Sequence, residues 1–150
     1  MFMNEILEDA AVIKLLNTED ALSVAEYPAS GSYIDVSGFE RFAFLVGAGA
    51  LDTATTLQVH QATANNGTPK DITGATLTIA ADGDDKWYLI EVQTNKLDLN
   101  NDYRYVTLDV TGPTGNDYGC ILFFGLNPGS KPVTQPTGVA GRGSSVFIGG

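Results

Sequence analysis

Two acidic stretches contain residue types suited to metal chemistry. ADGDDKW carries Asp82, Asp84 and Asp85, and LDLNND carries Asp98, Asn100 and Asp102. Alternating carboxylate and amide oxygens can hold Ca2+. Neither stretch has the D-x-[DN]-x-[DN]-G pattern and closing Glu of an EF-hand. Asp-Gly between two alternating apolar runs is also a hairpin signal, so ADGDDKW is read as a hairpin turn and no metal ligand is assigned. His60 is the sole histidine and Cys120 the sole cysteine. One of each cannot build a recognisable zinc site. His60 falls on the polar face of LQVHQ, and the spacing pairs it with no Ser or Cys, whereas a Ser-His-Asp triad needs three groups in contact. Cys120 lies inside YGCILFFG and reads as a small buried hydrophobe. The glycines of VGAGALD are followed by neither the Lys-Ser/Thr nor the helix of a phosphate loop, and read as a bend at a strand end. No catalytic residue and no cofactor-binding residue is assigned.

The tripeptide Asn-Asp-Tyr occurs twice, at Asn101-Asp102-Tyr103 and at Asn116-Asp117-Tyr118, each time before an apolar run. Asn and Asp tolerate left-handed backbone and can bond their own backbone two residues on. Tyr suits a strand edge, with its ring on the sheet and its hydroxyl in water. Both copies therefore read as the end of a turn and the start of a strand rather than as paired ligands. TLDVTGPTGNDYGCIL reads as a hairpin around Gly112–Gly115, which would leave Tyr103 and Tyr118 near opposite ends. Tyr33, Trp87, Tyr88, Tyr103, Tyr105 and Tyr118 could stack on sugar rings if several shared one exposed face. In a β-rich chain such residues more often serve as core or cross-strand pairs.

The elements that carry these residues are strands. FERFAFLVG sets Phe42, Phe44 and Val46 against Ala43 and Leu45, and TLQVHQA sets Leu57 and Val59 against Gln58 and His60. ATLTIAA continues the pattern with Leu77 and Ile79. KWYLIEVQT sets Tyr88, Ile90 and Val92 against Trp87, Leu89 and Glu91. YRYVTLDV sets Val106, Leu108 and Val110 against Tyr103, Tyr105 and Thr107. YGCILFFGL is apolar on both faces, which predicts a central strand covered on both sides. SYIDVSG is a further short strand. Turn-rich segments separate these runs at short spacing, and no crossover helices are available. The fold class is therefore all-β, an antiparallel sandwich or jelly-roll-like barrel joined mostly by hairpins, with extended N- and C-terminal arms.

The expected organisation is an N-terminal arm or short helix over residues 1–20, a sandwich over 21–130 and a Gly/Pro/Ser-rich arm over 131–150. Met3, Ile6, Leu7, Ala10 and Ala11 follow helical spacing, although AVIKLL could equally be a strand. The first residues lack the basic region of a secretory leader. The apolar runs are far shorter than the roughly 20 residues that span a bilayer. The last arm reads either as a frayed tail or as a docking arm, in which Val146, Phe147 and Ile148 form an apolar patch, a candidate subunit or capsid contact made by adding a strand to a sheet edge. Deleting residues 133–150 is then expected to weaken assembly. The 18 Asp and Glu outnumber the 8 Lys and Arg for a net charge of -10, which opposes binding to phosphate backbones.

YIDVSGFERFAFLVGAGALDTATTLQVHQATA, followed by ITGATLTIA, DYRYVTLDVTG and YGCILFFG, resembles small structural proteins of tailed bacteriophages encoded among head genes. The resemblance covers about residues 30–130 and is one of whole-chain pattern. In size and texture the chain is similar to capsid decoration (cement) proteins. That resemblance implies a β-rich domain on the outer surface of the virion, a homotrimer at local three-fold positions, and contact with the major capsid protein. It implies no catalysis, no cofactor, no small-molecule substrate and no binding to nucleic acid or membrane. A head-completion or tail protein and a carbohydrate-binding β-sandwich are the alternatives. A hydrolase is more distant, although folding can bring carboxylates together that spacing does not pair.

Overall fold

A computed structural model describes residues 9–18 and 20–130. Alternating apolar residues require two sheets to bury their inner faces against each other, and two antiparallel sheets are found. One has the strand order β1-β9-β4-β7, built from Ala10–Leu16, Gly119–Pro128, Phe39–Ala48 and Lys86–Gln93. The other has the order β2-β8-β5-β6, built from Ala25–Tyr27, Tyr105–Thr111, Thr55–Ala62 and Lys70–Ile79, with the short β3 (Ile34–Asp35) also on β8. The expected all-β sandwich is therefore the fold.

The inward faces follow the sequence pattern. Phe42, Phe44 and Val46 of β4, Leu57 and Val59 of β5, and Val106, Leu108 and Val110 of β8 are all buried. Phe44 packs edge-on against Phe123 with ring centroids 5.4 Å apart, and Phe42 stacks on Phe123 at 6.1 Å. This aromatic group lies in the core, with Ile13, Leu22 and Ile121 also fully buried.

Three expectations change. First, AVIKLL, which its spacing leaves open between helix and strand, is strand, while Met3, Ile6 and Leu7 lie outside the described residues. β1 pairs with β9 from Ala10↔Leu126 to Leu16↔Ile121, so the sandwich begins by Ala10 rather than at residue 21. Pairing with β9 sets Ala11 and Ile13 beside Gly125 and Phe123 on the buried inner face of the sheet.

Second, the connections are not mostly hairpins. Among the described strands only β5 and β6 are consecutive and paired. ADGDDKW is no hairpin: β6 pairs with β5 and β7 with β4, so residues 80–85 cross between the sheets. TGPTGNDYG likewise crosses, from β8 in one sheet to β9 in the other. Turn residues mark where a strand stops, while burial of the next strand's apolar face decides which sheet it joins. Gly112 marks the second crossing. Its φ is +107°, and a Cβ there would lie 2.2 Å from the Ala54 carbonyl oxygen.

Third, β9 is central as expected but, among the described residues, covered on one face only. Ile121 and Phe123 are buried inward, while Cys120, Leu122, Phe124 and Leu126 point out and remain half-exposed. Cys120 is accordingly a half-buried free thiol rather than a core residue. The terminal patch Val146, Phe147 and Ile148 and the arm over 131–150 lie outside the described residues.

Candidate functional surfaces

The two sheets present opposite chemistry outward. In an antiparallel ladder, residues directly opposite each other share a face. On the β1-β9-β4-β7 sheet the outward rungs are Val12–Phe124–Ala43–Glu91, Lys14–Leu122–Leu45–Leu89 and Cys120–Gly47–Trp87. Nine of those eleven residues are not charged. Leu45, Leu122, Phe124 and Leu126 are half-exposed, Leu89 is 43% exposed and Trp87 is 70% exposed. The apolar area is bounded at one end by the Arg41–Glu91 ion pair, 2.9 Å long. At the other end a shallow trough runs beside Trp87, floored by Gly47, Gly119 and Cys120 and edged by Asp85. A side chain at Gly47 would meet Cys120 Sγ at 2.9 Å, so the floor stays low.

The opposite face, on the β2-β8-β5-β6 sheet, is polar. Its rungs are Glu26–Asp109–Gln58–Thr76, Thr107–His60–Asp71 and Thr111–Thr56–Thr78. A bulge in β6, where Gly74 has φ +83°, brings Asp71 opposite His60. His60 Nε2 lies 3.0 Å from Asp71 Oδ1, and its Nδ1 lies 3.7 Å from Glu26 Oε1 without a hydrogen bond. Tyr33 donates its hydroxyl proton to Glu26 Oε2. Burial, then the hydrogen bond to and charge of Glu26, push the Tyr33 hydroxyl up to about 12. Burial also raises Asp109; the Glu26 and Asp71 charges act in the same direction and the nearby His60 against them. Spacing could not pair Glu26 with Asp109, which sit on strands 83 positions apart in the chain yet directly opposite in the ladder.

The sequence candidates are dispersed through the structure. Asp98 takes Lys70 Nζ at 2.6 Å and Asn101 Nδ2 at 2.8 Å, and the Lys70 hydrogen bond foremost holds its carboxyl below the usual range. Asp102 has a left-handed backbone (φ 61°) and ends the 3-10 turn Leu99–Asn101. Asp85 is left-handed too (φ 56°) and ends the crossing into β7. Among the described residues no three His, Cys, Asp or Glu side chains are disposed to hold a metal ion. The aromatic candidates form no shared platform. Tyr33 is buried, Tyr88 donates to the Gly83 carbonyl at 2.7 Å, and Tyr103 lies under Lys70 Nζ at 3.8 Å. Trp87 and Tyr118 remain exposed.

The two Asn-Asp-Tyr copies take different jobs. Asp102 shapes a turn, whereas Asp117 is fully buried and acts as a hub. It accepts from the backbone N–H of Asp52 at 2.7 Å, Thr53 at 3.2 Å and Thr114 at 2.8 Å, and from the Thr53 hydroxyl at 3.1 Å. Burial alone would raise its carboxyl, but these donors outweigh it and hold it below the usual range. Asp117 thus ties together the two crossings that enter β5 and β9, at the Trp87 end of the apolar face.

No family model, no curated protein and no solved structure matches this chain.

Proposed function

We propose that this chain is a non-enzymatic decoration protein of a tailed-bacteriophage virion, seated on the outer capsid surface and bridging neighbouring capsid subunits. One observation carries the reading: a rigid sandwich has one outward sheet face that is apolar across β1, β9, β4 and β7, while the other is polar and acidic. Apolar patches this continuous, with charge confined to the rim, are the mark of protein-protein contact. An exposed Trp beside packed leucines is the usual kind of anchor in such a contact. The apolar side is the one proposed to lie on the shell, and the Glu26-Asp71-Asp109 side to face solvent. Attachment of many copies to one lattice strengthens weak individual contacts. The whole-chain resemblance to head proteins supplies the partner, the major capsid protein, and a trimer as the assembling unit.

The test uses shells of the encoding phage stripped of this protein. Purified protein is added back, and the sedimented fraction is measured. Wild type binds to saturation. Leu122→Asp, which puts a charge in the middle of the apolar face, abolishes binding while far-ultraviolet circular dichroism stays unchanged. Equal binding by the variant removes this face from the account. The second reading, a carbohydrate-binding module, is favoured by exposed Trp87 beside its glycine-floored trough. A glycan array separates the two, because the decoration reading predicts no signal.

A further inference from the structure

On the polar sheet face, His60 sits among three carboxylates that come from three other strands. We propose that His60 is a proton-operated clamp on the edge strand β2: when protonated it bridges Glu26 on β2 to Asp71 on β6, and loss of the proton leaves β2 facing carboxylate repulsion. The clamp is a property of the isolated protein and does not rest on the capsid reading.

Three observations carry it. The first is the geometry around the ring. His60 Nε2 lies 3.0 Å from Asp71 Oδ1, and Nδ1 lies 3.7 Å from Glu26 Oε1. Nδ1 is buried and has no hydrogen-bond partner among the described residues. Thr107, directly opposite His60 on β8, does not serve it, because its hydroxyl donates to the Pro28 carbonyl at 2.6 Å. A neutral imidazole carries one N–H, which the nearer carboxylate draws to Nε2, so Nδ1 turns a lone pair toward Glu26. Protonation puts a second N–H on that side. A movement of under about 1 Å then closes the gap to a hydrogen bond.

The second is that Glu26 is held in place. Tyr33 is buried and donates its hydroxyl to Oε2, which leaves Oε1 on the His60 side. The Tyr33 hydroxyl, pushed up to about 12 by burial and then by Glu26, keeps its proton at any pH at which His60 titrates. Asp71 is 71% exposed, so it can follow the ring or turn to water.

The third is charge on a short strand. β2 has only the three residues Ala25–Tyr27, and Glu26 lies directly opposite Asp109 in the ladder. Like charges directly opposite each other destabilise a sheet. Burial foremost raises the Asp109 carboxyl, the Glu26 and Asp71 charges add to this, and His60 opposes it. Lys70, next to Asp71 on β6, is paired with Asp98 at 2.6 Å. The cation that answers Glu26, Asp71 and Asp109 is therefore the imidazolium of His60. A mildly acidic medium tightens β2 on β8, and a neutral one loosens it.

The experiment is a double-mutant cycle of His60→Gln and Glu26→Gln, read by urea denaturation at about pH 5.5 and about pH 8, on either side of the ordinary imidazole range. At the lower pH, Glu26→Gln should lower the folding equilibrium constant at least about threefold more in the wild-type background than in the His60→Gln background. At the higher pH that extra loss should vanish or reverse. Amide exchange of the wild type gives a second reading that needs no variant to fold. Corrected for intrinsic rates, protection of the β2 amides relative to those of β4 should rise at least about threefold from the higher pH to the lower. A coupling that is absent at the lower pH, or equal at both, overturns the proposal. So does β2 protection that keeps a constant ratio to β4. No shell is present, so failure here leaves the decoration reading to its own test.

Discussion

Replacing Asp117 by Ala tests whether one buried carboxylate holds the two sheet crossings together. The side chain accepts four hydrogen bonds, three of them from the backbone N–H groups of Asp52, Thr53 and Thr114. Deletion leaves those donors without their acceptor. A hydrogen bond to a charged group is worth about 1.5–3 kcal/mol, and an unsatisfied buried donor costs about 1–3 kcal/mol. The four share one acceptor and are not additive, and water can reach loops once the carboxylate is gone. The expected loss is therefore about 3–5 kcal/mol, the range for breaking a buried charge interaction. For a domain of this size that lowers Tm by roughly 6–20 °C. Asp117→Asn keeps one oxygen for the Asp52 and Thr53 N–H groups but turns an amide toward the Thr114 N–H, and should lose about half as much.

The pH dependence separates this account from simple loss of packing. The folded Asp117 carboxyl sits below its ordinary value. Its stabilisation is therefore complete above the unfolded value of about 3.9 and is lost as pH falls through the lower folded value. Urea denaturation of wild type and Asp117→Asn should show the full gap near neutrality and a closing gap below about pH 4. An alanine variant within about 0.5 kcal/mol of wild type, or a gap that stays constant into acid, would refute the hub.

Two further substitutions probe the two sides of the molecule. Asp109→Asn relieves a carboxyl that is raised by burial, with Glu26 and Asp71 adding to the cost. A raised carboxyl favours the fold most when protonated, so the variant should gain up to about 1 kcal/mol near neutrality and lose that advantage as acid protonates the wild-type group. Thermal unfolding at several pH values reads both. Phe123→Ala removes the ring that contacts both Phe42 and Phe44, and should cost about 3–5 kcal/mol by denaturant titration; a loss under about 1 kcal/mol would mean that the triad is not the core's centre.

Much of the architecture is legible in the residues. Period-two alternation identifies the buried faces of β4, β5, β7 and β8, because each strand hides one row of side chains and wets the other. What alternation does not encode is which sheet a strand joins. Asp-Gly in ADGDDKW and the Gly-Pro-Thr-Gly turn before β9 have hairpin chemistry, yet both connect opposite sheets. The partner of each strand is set by packing across the core, at long sequence separation. The double apolar character of YGCILFFGL is visible in the sequence and reads there as a strand covered on both faces. Among the described residues, Ile121 and Phe123 are buried and Leu122, Phe124 and Leu126 on the other face are half-exposed. The His60-Glu26-Asp109 cluster and the Asp117 hub leave no local signature, since their members come from separate strands and loops. AVIKLL is short and apolar, and only its pairing with β9 decides between helix and strand.

The central claim is that this chain coats a capsid, and counting it in the particle tests that most directly. Quantitative mass spectrometry of purified virions, normalised to the major capsid protein, should find on the order of hundreds of copies per particle, as expected for a protein repeated across the shell lattice. A count of only a few per particle would contradict the claim and place the protein among the components fixed at a single vertex or in the tail.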